Sequence, residues 1–211
     1  MSRAKDFMEV PEGWGFVPTM DRRDFLKLTG SGLLVLYSVD PLLSQSAAQR
    51  TATDINSFLH IGADGRVTCL VGKVELGQGV MTSLPQLAAE ELGVALASVD
   101  IVMGDTDLCP TDRGTFGSLS IRMFGPTLRA AAAEARAVLV QMAAERLGLP
   151  ASDLEVREGI VSSKTHPARR VSYGELTAGK RIERRLDGQA VLKKAAEFTV
   201  MGRSAPRRDA L

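Results

Sequence analysis

The chain has 211 residues, enough for one medium domain or two small ones. Its 45% apolar and 24% charged residues describe an ordinary globular chain, and a net charge of +1 gives no sign of bulk attraction to nucleic acid or to an acidic membrane. Cys69 and Cys109 stand far apart and cannot ligate an iron–sulfur cluster by themselves, while His60 and His166 stand alone and make no histidine metal site. The two cysteines are either one disulfide of an exported protein or two buried thiols.

The first nineteen residues carry no structural signal, so Met20 is a candidate start. Arg22-Arg23 within Asp21–Lys27 precede the mildly apolar stretch Leu28–Val39. This is the form of a twin-arginine export signal, and the apolar run is too short to span a bilayer comfortably. Ser46-Ala47-Ala48 offers a small-residue cleavage region. The plainer alternative is a basic amphipathic helix on a cytosolic protein. We therefore expect an extension and signal over residues 1–48, a linker over 49–56 and one domain over 57–211. The expected location is the periplasm, with an uncleaved, membrane-tethered form as its variant.

The domain opens with β-rich runs at Ser57–Ile61 and Arg66–Val71 around Asp64-Gly65, a hairpin signal. The β-like run Val67–Val74 then meets a helix-like run, Thr82–Leu92, across Gly77-Gln78-Gly79. Glycine lets a ligand approach the backbone closely. The helix start offers free N–H groups and a positive dipole end, and Gln78 adds an amide that donates and accepts. The junction is either a cradle for a polar, phosphorylated cofactor or a tight strand-to-helix turn. Gly93 stops the helix, and Pro85 belongs in its first turn or else kinks it. Val99–Met103 reads as a strand closed by a turn at Gly104–Asp107. Cys109–Gly117 reads as a loop.

A long helix runs from Ser118 or Pro126 to Leu147, with Leu128, Ala132, Ala135, Leu139 and Met142 on one face and Gly148 and Pro150 as its stop. Leu154–Arg157 and Ile160–Ser162 flank Glu158-Gly159 as a second hairpin. Ser172 and Glu175 frame a short helix with a capping box. Glu90 and Glu91 read as solvated helix charges, and Ala195–Val200 as an edge strand. Ala88–Gly93 and Ala143–Gly148 resemble each other, each being a helix, a glycine stop and then a strand. The fold class is α+β, with helices on a mixed sheet, either as two similar β–α–β halves or with the likeness arising from common helix-ending chemistry.

Two separated motifs combine. Glu75-Leu76-Gly77-Gln78-Gly79 is followed by Gln86 a turn later, and Gly114-Thr115-Phe116-Gly117-Ser118-Leu119-Ser120 opens the long helix. In this order and spacing they resemble the molybdenum subunit of the xanthine dehydrogenase and aldehyde oxidoreductase family, nearest to its exported isoquinoline 1-oxidoreductase beta-type branch. The resemblance runs from about Phe58 onward. It implies a molybdopterin cofactor with molybdenum, in the cytosine dinucleotide form. Gly77, Gln78 and Gly79 would contact the cofactor near its metal or phosphate, and Gly117, Ser118, Leu119 and Ser120 its pterin and pyrophosphate. The metal would be held by the cofactor's dithiolene, with no protein ligand. The implied reaction is oxidation of aldehydes or N-heteroaromatics with water as the oxygen source. A separate [2Fe–2S] subunit would take the electrons.

The departures are also informative. The family's subunits are far longer, and nothing here matches their substrate-activating glutamate, so no catalytic residue is assigned. Glu75 reads as a hydrogen-bonding turn residue. The chain is expected to be the first portion of such a subunit, completed by a second polypeptide or truncated, and inactive alone. A non-catalytic α+β assembly module is the second reading. An unrelated dinucleotide-binding protein is the third, but the chain lacks the Gly-x-Gly-x-x-Gly pattern with its acidic partner.

Overall fold

A computed structural model describes residues 32–37, 57–109, 112, 114–178, 181–185 and 190–209. The arginine pair, the small-residue stretch at 46–48 and the linker at 49–56 lie outside the described residues. Within the leader-like apolar run, Gly32–Tyr37 form strand β1. Strand β2, Ser57–Gly62, returns as β3, Val67–Val71, through a turn in which Gly65 has φ 79°. The Gly62 N–H donates to the Arg66 carbonyl at 2.9 Å and closes this hairpin.

Helix α1, Val80–Leu92, carries the chain from β3 to the parallel strand β4, Val99–Met103. Pro85 sits in the second turn of α1, not the first, and withholds one intrahelical donor there. A π-helical turn, Ser120–Phe124, leads into α2, Gly125–Leu147. The antiparallel strands β5, Leu154–Arg157, β6, Ile160–Ser163, and β7, Arg170–Ser172, follow. The short helix α3, Tyr173–Thr177, has Ser172 as N-cap with the reciprocal Glu175 bonds of a capping box. The last strand is β8, Arg181–Arg185.

Among the described residues two sheets form, one with the order β4-β3-β2-β1-β8 and one with the order β5-β6-β7. The class is α+β, as the alternation of strand and helix patterns implied. The chain does not form two similar halves. β4 joins β3 in the first sheet, whereas β5 begins a separate antiparallel sheet. What the repeated segments share is the helix exit. Gly93 and Gly148 both adopt left-handed φ, 69° and 61°, and each is followed by a short 3-10 turn before its strand.

The core lies between the first sheet and the two long helices. Leu33, Leu59, Ile61, Val67, Cys69 and Val71 meet Leu84, Ala88 and Leu92 of α1 and Leu128, Ala132, Ala135 and Leu139 of α2. Alanines on facing helix surfaces allow close approach, which suits a chain with few aromatics. β3 is buried on its other face too at Leu70, which packs on Val102 and Leu108, and only half-buried Thr68 interrupts its apolar sequence. Both cysteines are free thiols, and burial pushes Cys69 up to about 12. The second sheet is joined to this core at Tyr173, whose buried hydroxyl donates to the Leu92 carbonyl at 2.8 Å. Beside it, Gly174 lies so close to the first hairpin that a Cβ there would stand 2.6 Å from the Ala63 oxygen.

The glutamates at the end of α1 are not solvated. Glu90 and Glu91 are fully buried and anchor the segment 190–209, which straps across the helices. Glu90 accepts the N–H groups of Thr199, Val200 and Met201 at 2.7, 2.6 and 3.0 Å, and Lys193 Nζ at 3.0 Å. Glu91 accepts Lys193 N–H at 3.1 Å and Arg129 Nε at 3.0 Å. With its donors committed to a side chain, Ala195–Val200 does not make the expected edge strand but a 3-10 turn at Ala195–Glu197. Farther along, Arg208 donates to the Val99 and Leu96 carbonyls at 2.8 and 2.9 Å, and Arg207 Nη2 to the Gly77 carbonyl at 2.8 Å.

Burial raises the Glu90 pKa, but the bonds from Val200, Lys193, Met201 and Thr199 outweigh it and bring the value from 4.5 to about 2. A depressed folded-state pKa contributes stability that is complete above the unfolded value and is lost as pH falls through the folded one. We expect Glu90→Ala to lose about 3 kcal/mol at pH 7, since it strands several buried donors. Urea unfolding at pH 7 and at successively lower pH checks this: the gap between wild type and variant should narrow as pH falls from 4.5 toward 2.

Candidate functional site

The site begins where β3 runs out. Lys73 follows Gly72, and its ammonium turns inward with only 5% of the side chain exposed. It donates to Asp112 Oδ1 at 2.6 Å and to the Gly114 carbonyl at 2.8 Å. The next N–H, that of Val74, donates to Thr115 Oγ1 at 2.9 Å. Asp112 Oδ1 also accepts the Gly114 N–H at 2.8 Å. These contacts tie the segment before the Gly-Gln-Gly loop to the segment before the Gly117–Ser120 turn. Motifs about forty positions apart in sequence thus leave from one seam. Gly104, after β4, packs so tightly behind Val74 that a Cβ would stand 2.5 Å from Val74 Cγ1.

The first loop is organised by Glu75. Its carboxylate accepts the N–H groups of Gly77, Gly79 and Met81 at 2.8, 2.9 and 2.8 Å. Gly77 and Gly79 reach these positions with φ 94° and 82°. Gly79 is the N-cap residue of α1 and brings no side chain, so Glu75 caps the helix from outside. Burial disfavours the charged carboxylate, yet the bonds from Met81, Gly79 and Gly77 prevail and hold it below the usual range. Gln78 also folds onto its own loop, accepting the Leu76 N–H at 2.6 Å and donating to the Val74 carbonyl at 3.0 Å. The free N–H groups expected of Gly77 and Gly79 are therefore already paired within the protein.

The second turn is built differently. Gly117 and Ser118 both adopt left-handed φ, 57° and 59°, which is costly for serine. The Leu119 N–H donates to the Phe116 carbonyl at 3.0 Å, while Ser120 is buried at the start of the π-helical turn. Gly117 and Ser118 are exposed, and a Cβ on Gly117 would meet nothing within 4 Å. Among the described residues, no partner meets the Gly117 or Ser118 N–H or the Ser118 hydroxyl. Arg122 Nη2 reaches the Gly117 carbonyl at 3.4 Å and sets a cation beside the turn.

Large apolar side chains crowd this surface: Leu76 is 71% exposed and Phe116 63%, with Val74 and Ile121 also exposed. Each motif is thus fringed by exposed apolar side chains. A separate concavity, lined by Asp64, Gly65, Val94, Glu158, Gly159 and Tyr173, includes no residue of either motif. Small side chains, left-handed backbone and unpaired N–H groups at Gly117–Ser118 fit close approach by a phosphorylated group. Among the described residues, no cluster of His, Cys, Asp or Glu could hold a metal ion directly.

Sequence reasoning did not single out Lys73, Thr115, Arg122 or Arg207 for this site. Lys73 carried a usable signal, a cation two positions after a largely apolar β-like run. Arg207 carried none, because its contact spans 130 positions.

The fold is an α+β domain whose two glycine-bearing helix starts are led into from one seam. The molybdopterin cofactor-binding domain family model matches residues 21–206, and the chain belongs to that family. It is 36% identical over 197 residues to the B component of the nicotinate dehydrogenase of Pseudomonas putida, covering 92% of this chain and 16% of that protein. It is 34% identical to the beta subunit of the isoquinoline 1-oxidoreductase of Brevundimonas diminuta, over 77% of this chain and 22% of the relative. Among solved structures, CO dehydrogenase from Oligotropha carboxidovorans matches with TM-score 0.50 and 31% identity, over 56% of this chain and 15% of that one. The chain thus spans less than a quarter of the length of these relatives.

The seam is open to direct test. Lys73→Met should cost on the order of 3–5 kcal/mol, because it leaves the Asp112 carboxylate buried and unpaired, and the Lys73→Met/Asp112→Leu double variant should recover much of that loss. Urea unfolding of the two variants beside wild type makes the measurement.

Proposed function

We propose that this chain is the cofactor-binding portion of an exported molybdenum hydroxylase that oxidises aldehydes or N-heteroaromatics with oxygen drawn from water. The observation that carries the reading is the seam. Lys73 and Val74 hold Asp112, Gly114 and Thr115, so the segment leading to Gly77, Gln78 and Gly79 is tied to the one leading to Gly117, Ser118, Leu119 and Ser120, which supports a single shared ligand. Family membership supports a molybdenum-bearing molybdopterin as that ligand. The cytosine dinucleotide form is part of the proposal. When bound, the cofactor supplies the metal redox chemistry. This chain's own residues bind and orient it: Gly117 and Ser118 present backbone N–H groups, and the Glu75-braced loop presents Leu76 and the outer edge of the Gln78 amide.

The relatives named as subunits support a partner subunit, and a [2Fe–2S] protein in that role, with a second polypeptide that completes the cofactor walls, is part of the proposal. No general base is assigned, and the chain alone is proposed to be inactive.

In the assembled complex, Gln78→Ala and Ser118→Val should each weaken cofactor retention by about 1–3 kcal/mol, read as molybdenum per purified complex. Normal molybdenum content in both variants would sink the cofactor reading and leave an assembly module in its place.

The export half rests on Arg22-Arg23 before Phe25-Leu26-Lys27. Replacing both arginines by lysine should hold the protein in the cytoplasm. An unchanged periplasmic yield on cell fractionation would refute it.

A further inference from the structure

Thr82, Gln86 and Glu90 recur at every fourth position of α1 and so share one face of the helix. Each of them holds the strap. Glu90 accepts the Thr199, Val200 and Met201 N–H groups, Gln86 Nε2 donates to the Arg203 carbonyl at 3.1 Å, and Thr82 Oγ1 accepts the Arg208 N–H at 2.8 Å. The strap thus runs back along α1 toward its start, where Arg207 meets the Gly77 carbonyl. We propose that Arg207 is a positioning residue for the Gly77–Gly79 loop, carried on a latch of residues 203–209 that is anchored at Glu90 and hinges at Gly202. The inference rests on the reading of that loop as part of a cofactor site, and it supplies the means by which the loop is held and released.

The two ends of the latch are built differently. Glu90 is fully buried, so lifting Thr199–Met201 would strand a carboxylate without its donors. At the other end the Arg207 side chain is half exposed, and Arg203 and Gly77 are exposed, so water can take the place of each lost partner. The tip therefore lifts at far less cost than the anchor. Gly202 stands between them, exposed, with φ 78° and nothing within 4 Å of an added Cβ. A glycine in open space can absorb the dihedral change that lifting the tip requires.

Arg207 is shaped for holding the loop. Asp209 accepts its Nε at 3.1 Å and pairs with its Nη2, which fixes the direction of the guanidinium. From there Nη2 donates to the Gly77 carbonyl at 2.8 Å, and Nε lies 3.9 Å from where a Cβ on Gly79 would stand. Glu75 takes the loop's N–H groups from within the loop, and Arg207 takes its Gly77 carbonyl from 130 positions away. With the tip docked, donors and carbonyl are both engaged. With the tip lifted, the loop keeps only its local brace and can open for a ligand to enter or leave.

The test is amide hydrogen exchange on the isotope-labelled 211-residue chain. In Arg207→Ala the Gly77, Gly79 and Met81 amides should exchange at least about threefold faster than in wild type, while Thr199 and Val200, on the anchor, keep their wild-type rates. Arg207→Lys, which can still donate to the carbonyl, should restore part of the protection. Gly202→Ala removes no contact but disfavours the left-handed φ of the docked hinge, and it should act on the loop as Arg207→Ala does. Glu90→Ala frees the anchor and should speed exchange at both places, with Glu90→Gln standing in if the alanine variant does not fold. Unchanged loop exchange in Arg207→Ala, equal acceleration at Thr199 and Val200, no recovery in Arg207→Lys, or a Gly202→Ala chain that exchanges like wild type overturns the inference. These measurements need no cofactor, and the cofactor reading is judged by the molybdenum content of the Gln78 and Ser118 variants, so each can fail alone.

Discussion

Everything near the site depends on two adjacent carboxylates sealed inside the protein at the end of α1. Glu90 collects successive backbone N–H groups of the strap, and Glu91 collects the arginine and main chain that precede them. Burying two charges side by side is costly and persists only when each oxygen is fully engaged. Here the engagement is with a segment more than a hundred positions away, so the cost of burial is offset only when that segment is in place. The strap then continues to Arg208 on the α1–β4 connection and to Arg207 on the Gly77 carbonyl. Local order in the glycine loop is thereby coupled to long-range order in the chain.

The seam at Lys73 applies the same physics on a smaller scale. A buried ion pair is weak evidence for stability but strong evidence for register, since one partner cannot shift without stranding the other. Asp112 accepts both the Lys73 ammonium and the Gly114 N–H, so the loop and the strand exit are fixed by one atom. With Thr115 receiving the Val74 N–H, the approach to the second motif is set from the first. Family membership gives this arrangement its chemical setting, while the seam gives the family's two motifs a common origin in space.

Much of the fold was legible because it obeys local rules. The Asp64-Gly65 hairpin, the Gly93 and Gly148 helix stops, the Glu158-Gly159 turn and the Ser172–Glu175 capping box each involve residues a few positions apart. What misled were residues whose roles are set at long range. A run of Glu90-Glu91 on a helix looks like solvent-facing charge, since nothing local reveals that Thr199–Met201 will cover it. The same contact explains why Ala195–Val200, β-like in composition, is not a strand: its donors go to a side chain, not to a ladder. Within the apolar leader-like run, Gly32–Tyr37 pair with both β2 and β8, a strand that the run's hydropathy alone did not reveal. At the site, the hydrogen bonds join the segments that lead into the two motifs, Lys73-Val74 and Asp112–Thr115, a link the sequence did not reveal. The motifs' donors were misjudged, because Glu75 was assigned to the turn without asking which N–H groups it would consume.

The close approach at Gly174 has a consequence for how such a domain can vary. The main chain of α3 lies against the Ala63 carbonyl with no room for a single added carbon, and Tyr173 beside it is bonded to the end of α1. The second sheet is clamped at its hairpin turn as well, where the Gly159 N–H donates to the Gly93 carbonyl at 3.0 Å, and Leu154, Val161 and Val171 of its three strands are buried in the common core. A side chain larger than hydrogen at position 174 would force the main chain apart at one clamp while the other held, so the domain's two sheets are keyed to each other like a part seated on two pins.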